Sequence, residues 1–238
     1  MSYSFYKLFK TTDFYRLYFF SGSLDDLLGG DSMKVVLLNG SPNERGCTNR
    51  ALTEVSSALN NNNIVTEFFW IGRGPVYGCT SCGYCRKKEE GCIYTDDPCN
   101  SIINLFKESD GIIIGSPVFY SGPNGALCAV LDRVFFAGSD NFKYKPAAAI
   151  SSCRRAGSVA TFDRLNKYFS INNMPIVSSQ YWNNIYGTNP EETAKDLEGM
   201  QIMRRLGENM AWMLKNLSGE RTDPPVPFED VVRTNFIR

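Results

Sequence analysis

Four cysteines stand close together in this sequence, Cys79, Cys82, Cys85 and Cys92, in the pattern C-x2-C-x2-C-x6-C. Thiolates at that spacing can close around an iron–sulfur cluster, and C-x2-C-x2-C is a usual opening of a run that holds a 4Fe-4S cubane. Structural zinc more often pairs two separated C-x-x-C knuckles. A thioredoxin-type dithiol needs one pair in a different setting. Beside the cluster, two readings stay open: a loop of free, partly buried thiols at a subunit interface, and zinc. The other cysteines have no obvious metal partner. Cys99 and Cys128 fall on expected helices, Cys47 and Cys153 in loops.

The chain has 238 residues and no histidine. That removes Ser-His-Asp and Cys-His nucleophilic machinery, His-containing zinc sites and imidazole acid–base chemistry together. Catalysis must then run on a cofactor, a carboxylate, a thiol or backbone electrostatics, which points to redox chemistry carried by a cofactor. Lysine plus arginine equals aspartate plus glutamate, 25 each, so no basic face for nucleic acid is indicated. No run has the uninterrupted apolar length of a membrane helix. Lys7, Lys10, Asp13 and Arg16 interrupt every early apolar run, so a secretory signal is not expected. A cytoplasmic setting, without a disulfide framework, is the expectation.

A second constellation lies at residues 34–50, KVVLLNGSPNERGCTNR. An apolar strand, a loop with Gly and hydroxyls, and a helix N-terminus make an anion site, because the first helical N–H groups are free and the dipole favours negative charge. The loop has neither the Lys-Ser/Thr ending of a Walker A motif nor the glycine spacing of a dinucleotide fingerprint. A single phosphate monoester suits Ser41, Thr48, Asn49 and the loop amides; the plainer alternative is a capped strand–helix turn. Residues 116–124, SPVFYSGPN, expose Phe119 and Tyr120 between prolines, a platform for a planar ring or an oligomer contact. Residues 152–157, SCRRAG, bring Arg154 and Arg155, which can face an anionic reduced cofactor or a nicotinamide phosphate, or form surface ion pairs.

Alternating elements must position these groups. Strands are expected at 34–38, 65–71, 111–115, 147–151 and 174–178, and helices at 48–59, from Asp97 or Asn100 to 106, at 124–136, 158–169 and 191–217. Strict alternation predicts an α/β fold: a flavodoxin-like, doubly wound, five-stranded parallel sheet in order 2-1-3-4-5 with helices on both faces. Its ligand sits beyond the carboxyl ends of strands one and three. The folded domain is expected at 33–218. Residues 1–32 read as a leader or linker, disordered, a gene-start artefact or a partner-binding extension, and 219–238 as an extended Pro-rich tail.

NGSPNERGCTNR, GCTSCGYCRKKEEGCIYTDD, SDGIIIGSPVFYSGPNGALCAVLDR, KPAAAISSCRRAGSVATFDRLNKYF and MPIVSSQYWNNIYG, in that order, resemble the NADPH-dependent FMN reductase family, and within it the iron–sulfur flavoprotein branch. The resemblance spans about residues 33–217. It implies FMN held non-covalently, its phosphate in the loop of Ser41, Asn43, Cys47, Thr48 and Asn49. The isoalloxazine is implied against Pro117, Val118, Phe119, Tyr120 and Ser121 and against Ser152, Arg154, Arg155 and Gly157, near a subunit interface.

The expected function is an NAD(P)H oxidoreductase passing hydride to FMN and on to a quinone, flavin or other small electrophile, with no residue acting as catalytic acid or base. The alternative is an electron carrier with a 4Fe-4S cluster on Cys79, Cys82, Cys85 and Cys92; a third is a flavin-binding regulatory module without turnover. Expected partners are a small-molecule acceptor or a redox protein, and further copies of the chain in a homodimer or homotetramer.

Overall fold

A computed structural model describes residues 8–11, 14–19, 32–88 and 91–218. In chain order the strands are β1 (Leu8–Thr11), β2 (Phe14–Phe19), β3 (Lys34–Asn39), β4 (Val65–Trp70), β5 (Gly111–Phe119), β6 (Gly122–Pro123), β7 (Ala147–Cys153) and β8 (Asn184–Tyr186). The helices are α1 (Cys47–Asn60), α2 (Tyr84–Lys88), α3 (Cys99–Lys107), α4 (Gly125–Gly138), α5 (Ser158–Ile171), α6 (Pro190–Thr193) and α7 (Leu197–Leu217).

Five strands lie parallel in the order β4-β3-β5-β7-β8, which is the expected 2-1-3-4-5. Alternate residues of the central strands face opposite layers, as the two-residue period requires. Val36, Leu38, Ile112 and Ile114 pack with α3, α4 and α5. Val35, Leu37, Ile113 and Ile150 pack with α1 and α7. Both layers are buried, so these strands read as unbroken apolar runs. Among the described residues no helix is long and apolar enough to cross a membrane.

The structure departs from the expected elements in five places. The fifth strand is Asn184–Tyr186, not 174–178. Ile176 makes only a single bridge to Ala147, because Pro175 has no N–H to donate and the polar stretch after Val177 leaves the sheet. The chain returns at Asn183, whose carbonyl accepts from Ser151 N at 3.0 Å and whose side-chain amide donates to Ala149 O at 3.1 Å. One edge of β7 is thus covered in two pieces. Second, β5 runs on through Ser116 and Pro117, expected as loop, into a hairpin with β6. Third, the long closing helix is divided. Asn189 caps α6 at Glu192 N, 2.8 Å, and Asp196 caps α7 at Gly199 N, 2.9 Å.

Fourth, α2 forms inside the cysteine-rich connection, where a loop was expected. Finally, β1 and β2 pair antiparallel with each other, and β2 with β4. Those strands fall within the segment read as a leader. The rest of 1–31 and the tail 219–238 lie outside the described residues, as does the tail's expected extended form.

Helices α1 and α7 are pinned by Glu54, whose two carboxylate oxygens accept from Arg50 at 2.9 Å and Arg204 at 2.6 Å. Burial alone would raise its pKa, but the hydrogen bonds from Arg204 and Arg50 outweigh it and hold the carboxyl below its usual value of 4.5. A depressed folded pKa contributes stability above the unfolded value and loses it as pH falls through the folded one. Wild type should therefore be more stable than Glu54→Gln by roughly 0.5 kcal/mol above pH 4.5. The two should converge below it, as read by urea denaturation across pH.

Candidate functional site

The loop after β3 is built by its own side chains before any ligand arrives. Asn39, 2% exposed, accepts from Ser41 N at 3.0 Å and donates to Glu44 O at 2.9 Å. Ser41 Oγ accepts from Asn43 N at 3.0 Å. Trp70 Nε1 donates to Ser41 O at 2.7 Å, and Arg73 Nε to Pro42 O at 2.7 Å. The helix begins after Gly46, which offers no side-chain cap. Its first intrahelical bond is Arg50 N to Gly46 O, 3.0 Å, so the amides of Cys47, Thr48 and Asn49 precede any helical acceptor. A fixed turn and three free amides suit an anion.

The neighbouring strand ends close over this loop. Buried Thr48 and Ser152 share a hydroxyl–hydroxyl hydrogen bond of 2.8 Å, joining the start of α1 to the end of β7. Beyond it opens a cleft of about 790 Å³ lined by Ser41, Asn43, Cys47, Thr48, Pro117, Val118, Ser152 and Arg154, a size ordinary for a cofactor site. Asn49, Phe119, Tyr120, Ser121, Arg155 and Gly157 do not line it. Tyr120 is fully exposed, touching nothing that buries it. Gly157 instead supports the wall. Its φ is +86°, and a Cβ there would stand 2.8 Å from Val118 Cγ1 and 2.9 Å from Ser121 Cα.

Sequence reasoning placed Cys153 in a cofactor loop but gave no role to part of the lining: Glu44, Arg45, Arg73 and residues 187–190. Arg45, Arg73 and Arg154 surround the same opening with positive charge. Asn189-Pro190 carried a readable signal, a capping residue followed by proline at the first helical position. Placing it at the cleft required the true position of β8. Burial raises the Cys153 thiol, against opposing hydrogen bonds from Ser158 and Arg155, so this lining thiol stays protonated.

The four clustered cysteines line a second, separate pocket with Tyr94, Arg133 and Phe136. Cys79 and Cys82 are exposed, Cys85 and Cys92 half-buried. Burial raises the Cys85 thiol against an opposing backbone hydrogen bond, with smaller contributions from the neighbouring cysteines. Among the described residues no three Cys, Asp or Glu side chains converge tightly enough to hold one metal ion. A cubane takes each of its thiolates at a separate iron, so its ligands need not converge on one point. The enclosed volume is about 20 Å³, and Cys79 and Cys82 are exposed to solvent.

A model of the NADPH-dependent FMN reductase family matches residues 33–188. An iron–sulfur flavoprotein of Methanocaldococcus jannaschii is 30% identical over 191 residues, covering 77% of this chain and 98% of that protein. A second from the same organism is 29% identical over 199 residues, covering 79% and 100%. Among solved structures, a WrbA-like flavodoxin of Agrobacterium tumefaciens aligns with a TM-score of 0.53 at 15% identity, over 78% of this chain and 99% of that one. This last is a likeness of fold.

Two substitutions test the cleft wall. Gly157→Ala should destabilise by about 2 kcal/mol through strain and overpacking. Tyr120 and Ser121 hold φ of 50° and 56° in the two-residue β5–β6 turn, where Asn-Gly is preferred. Replacing the pair with Asn-Gly should therefore stabilise by about 1–2 kcal/mol. Denaturant midpoints read both.

Proposed function

We propose that this chain, which belongs to the NADPH-dependent FMN reductase family, is an FMN-dependent oxidoreductase that takes electrons from NAD(P)H and passes them to an acceptor. The observation that carries the reading is the prebuilt loop of Asn39, Ser41 and Asn43 beside the free amides of α1. It opens into a cleft that Arg45, Arg73 and Arg154 make positive. Those donors suit one phosphate monoester. The cleft volume leaves room for a ring system against Pro117 and Val118. FMN, when bound, supplies the two-electron and one-electron chemistry. The protein binds its phosphate through Ser41, Thr48 and the amides of residues 47–49, orients the ring with the β5–β6 hairpin, and places Arg154 where negative charge would develop. No proton need be moved by a side chain, in keeping with a sequence without histidine.

The same proposal gives the cysteine loop a 4Fe-4S cluster held by Cys79, Cys82, Cys85 and Cys92, making the protein a two-centre flavoprotein able to pass single electrons to a redox partner. Its support is that these four thiols, two exposed and two half-buried, share one pocket. The exposed Phe119 and Tyr120 suit contact with a second copy in a homodimer or homotetramer.

FMN titrated into apoprotein should bind one per chain. Ser41→Ala and Thr48→Ala should each weaken binding roughly tenfold, about 1.4 kcal/mol. NADPH should bleach the flavin band anaerobically. No flavin binding, or a bound flavin that no nicotinamide reduces, would overturn the oxidoreductase. After anaerobic reconstitution the wild type should carry about four iron and four sulfide per chain, and Cys85→Ser should lose them. Zinc or metal-free thiols instead would remove the second centre and leave the flavin reading standing.

A further inference from the structure

Arg133 sits in the middle of α4, on a face otherwise lined by Val130, Leu131 and Val134, and is 2% exposed. Nothing in the cofactor cleft uses it. All its donors go to the cysteine-rich segment. Nη1 and Nη2 both reach Asp97, the latter at 3.1 Å. Nη1 also donates to Tyr77 O at 3.1 Å and Nη2 to Tyr94 O at 3.4 Å. Nε, which Asp97 leaves free, points at Cys92 Sγ at 3.2 Å. Asp97 in turn accepts from the amides of Tyr77 and Cys99, each at 3.1 Å. The rings of Tyr77 and Tyr94 stack at 4.4 Å, with the guanidinium 5.3 Å from the Tyr94 ring. Both ends of the loop that carries the four cysteines therefore meet on one buried guanidinium.

A buried ion pair is a poor way to gain stability, because the desolvation of both charges offsets most of their attraction. An apolar pair would hold α4 to the loop as well. What an apolar pair cannot do is aim an N–H at a sulfur. Such a bond is weak to a thiol and strong, because charge-assisted, to a thiolate, the form a cysteine takes when it ligates metal. Cys92 is also the cysteine set furthest from the others along the chain, with six residues between it and Cys85. Its backbone is clamped on both sides by Asn100, at 2.8 Å and 2.9 Å.

We infer that Arg133 is a positioning residue for the iron–sulfur centre: it holds Cys92 in ligating pose and, through its charge and its Nε–H, raises the centre's reduction potential. Hydrogen bonds to ligand sulfurs and nearby net charge are the protein's means of setting such potentials. The inference rests on the cluster assigned above.

The test uses reconstituted full-length protein with FMN bound. Arg133→Gln combined with Asp97→Asn replaces the ion pair by neutral amides. Asp97→Asn alone leaves the arginine charge uncompensated. In a redox titration of the cluster the double variant should fall by at least tenfold in the reduction equilibrium, about 59 mV for a one-electron couple, and Asp97→Asn should rise. A purely structural pair would move both the same way or neither. Equimolar FMN absorbance in each variant reports that the fold is kept. A measurement free of substitution accompanies them: in wild type labelled with 15N-arginine, pulsed EPR of the reduced cluster should show a 15N coupling. Unchanged potentials, or a missing 15N coupling in a protein that does carry the cluster, overturn the inference alone. A wild type that takes up no iron overturns the cluster reading and this inference with it.

Discussion

The constraint on which the rest depends is that β3 and β5 lie side by side while the connections leaving them go to opposite faces. From β3 the chain turns into α1, which packs with α7 against Val35, Leu37 and Ile113. From β5 it passes through the hairpin into α4, which packs with α3 and α5 against Val36, Leu38 and Ile112. Two elements diverging from adjacent strands cannot fill the space between them, so a crevice opens at the carboxyl edge. Close approach keeps it narrow. Gly115 lies where a Cβ would meet Thr48 and Leu52, so α1 sits directly on β5. The cleft is a consequence of topology, and its chemistry a consequence of which residues occupy the strand ends.

The cysteine loop obeys a different logic. It has little core of its own: Tyr77, Ile93, Cys79 and Cys82 are exposed. What order it has comes from polar anchors reaching out of the main body. Arg133 supplies one from α4, Asn100 another from α3, and Asp97 links the two. Burial of Cys99 beside this network pushes its thiol up to about 12, so it remains a neutral packing residue while the loop cysteines stay at or near the surface. The cysteines thus differ by surroundings: Cys99 and Cys153 are buried, Cys47 and Cys128 half-buried on helices, and the four loop thiols half-buried or exposed.

The proposed two-centre reading joins these parts without requiring them to resemble each other. The cleft is framed by the sheet, by the Thr48–Ser152 hydrogen bond and by the turn at Tyr120 and Ser121 with its positive φ values. The cysteine loop is held at its two ends and open between them. A tight cofactor site and a loop that closes around a metal group place different demands on backbone freedom. The chain meets them with a sheet edge in one case and a tethered excursion in the other.

The sequence by itself determined the fold class, the order of the parallel strands, the Gly- and hydroxyl-bearing turn into a helix after the first of them and the grouping of the four cysteines. Each depends on local signals: apolar runs of strand length, Gly and hydroxyl residues at a helix start, and ligand spacing along one loop. Tertiary structure alone decided the rest. A run such as residues 174–178 reads as a buried strand, yet whether its amides find partners depends on β7 and on Pro175. The apolar setting of Arg133 on α4 gave no sign of the loop 41 residues away whose sulfur it faces. Residues 187–190 reach the cleft only because Asn184–Tyr186 completes the sheet. Periodicity records which face of an element is dry; it carries no record of which distant segment comes to lie on that face, because that is settled by packing among elements.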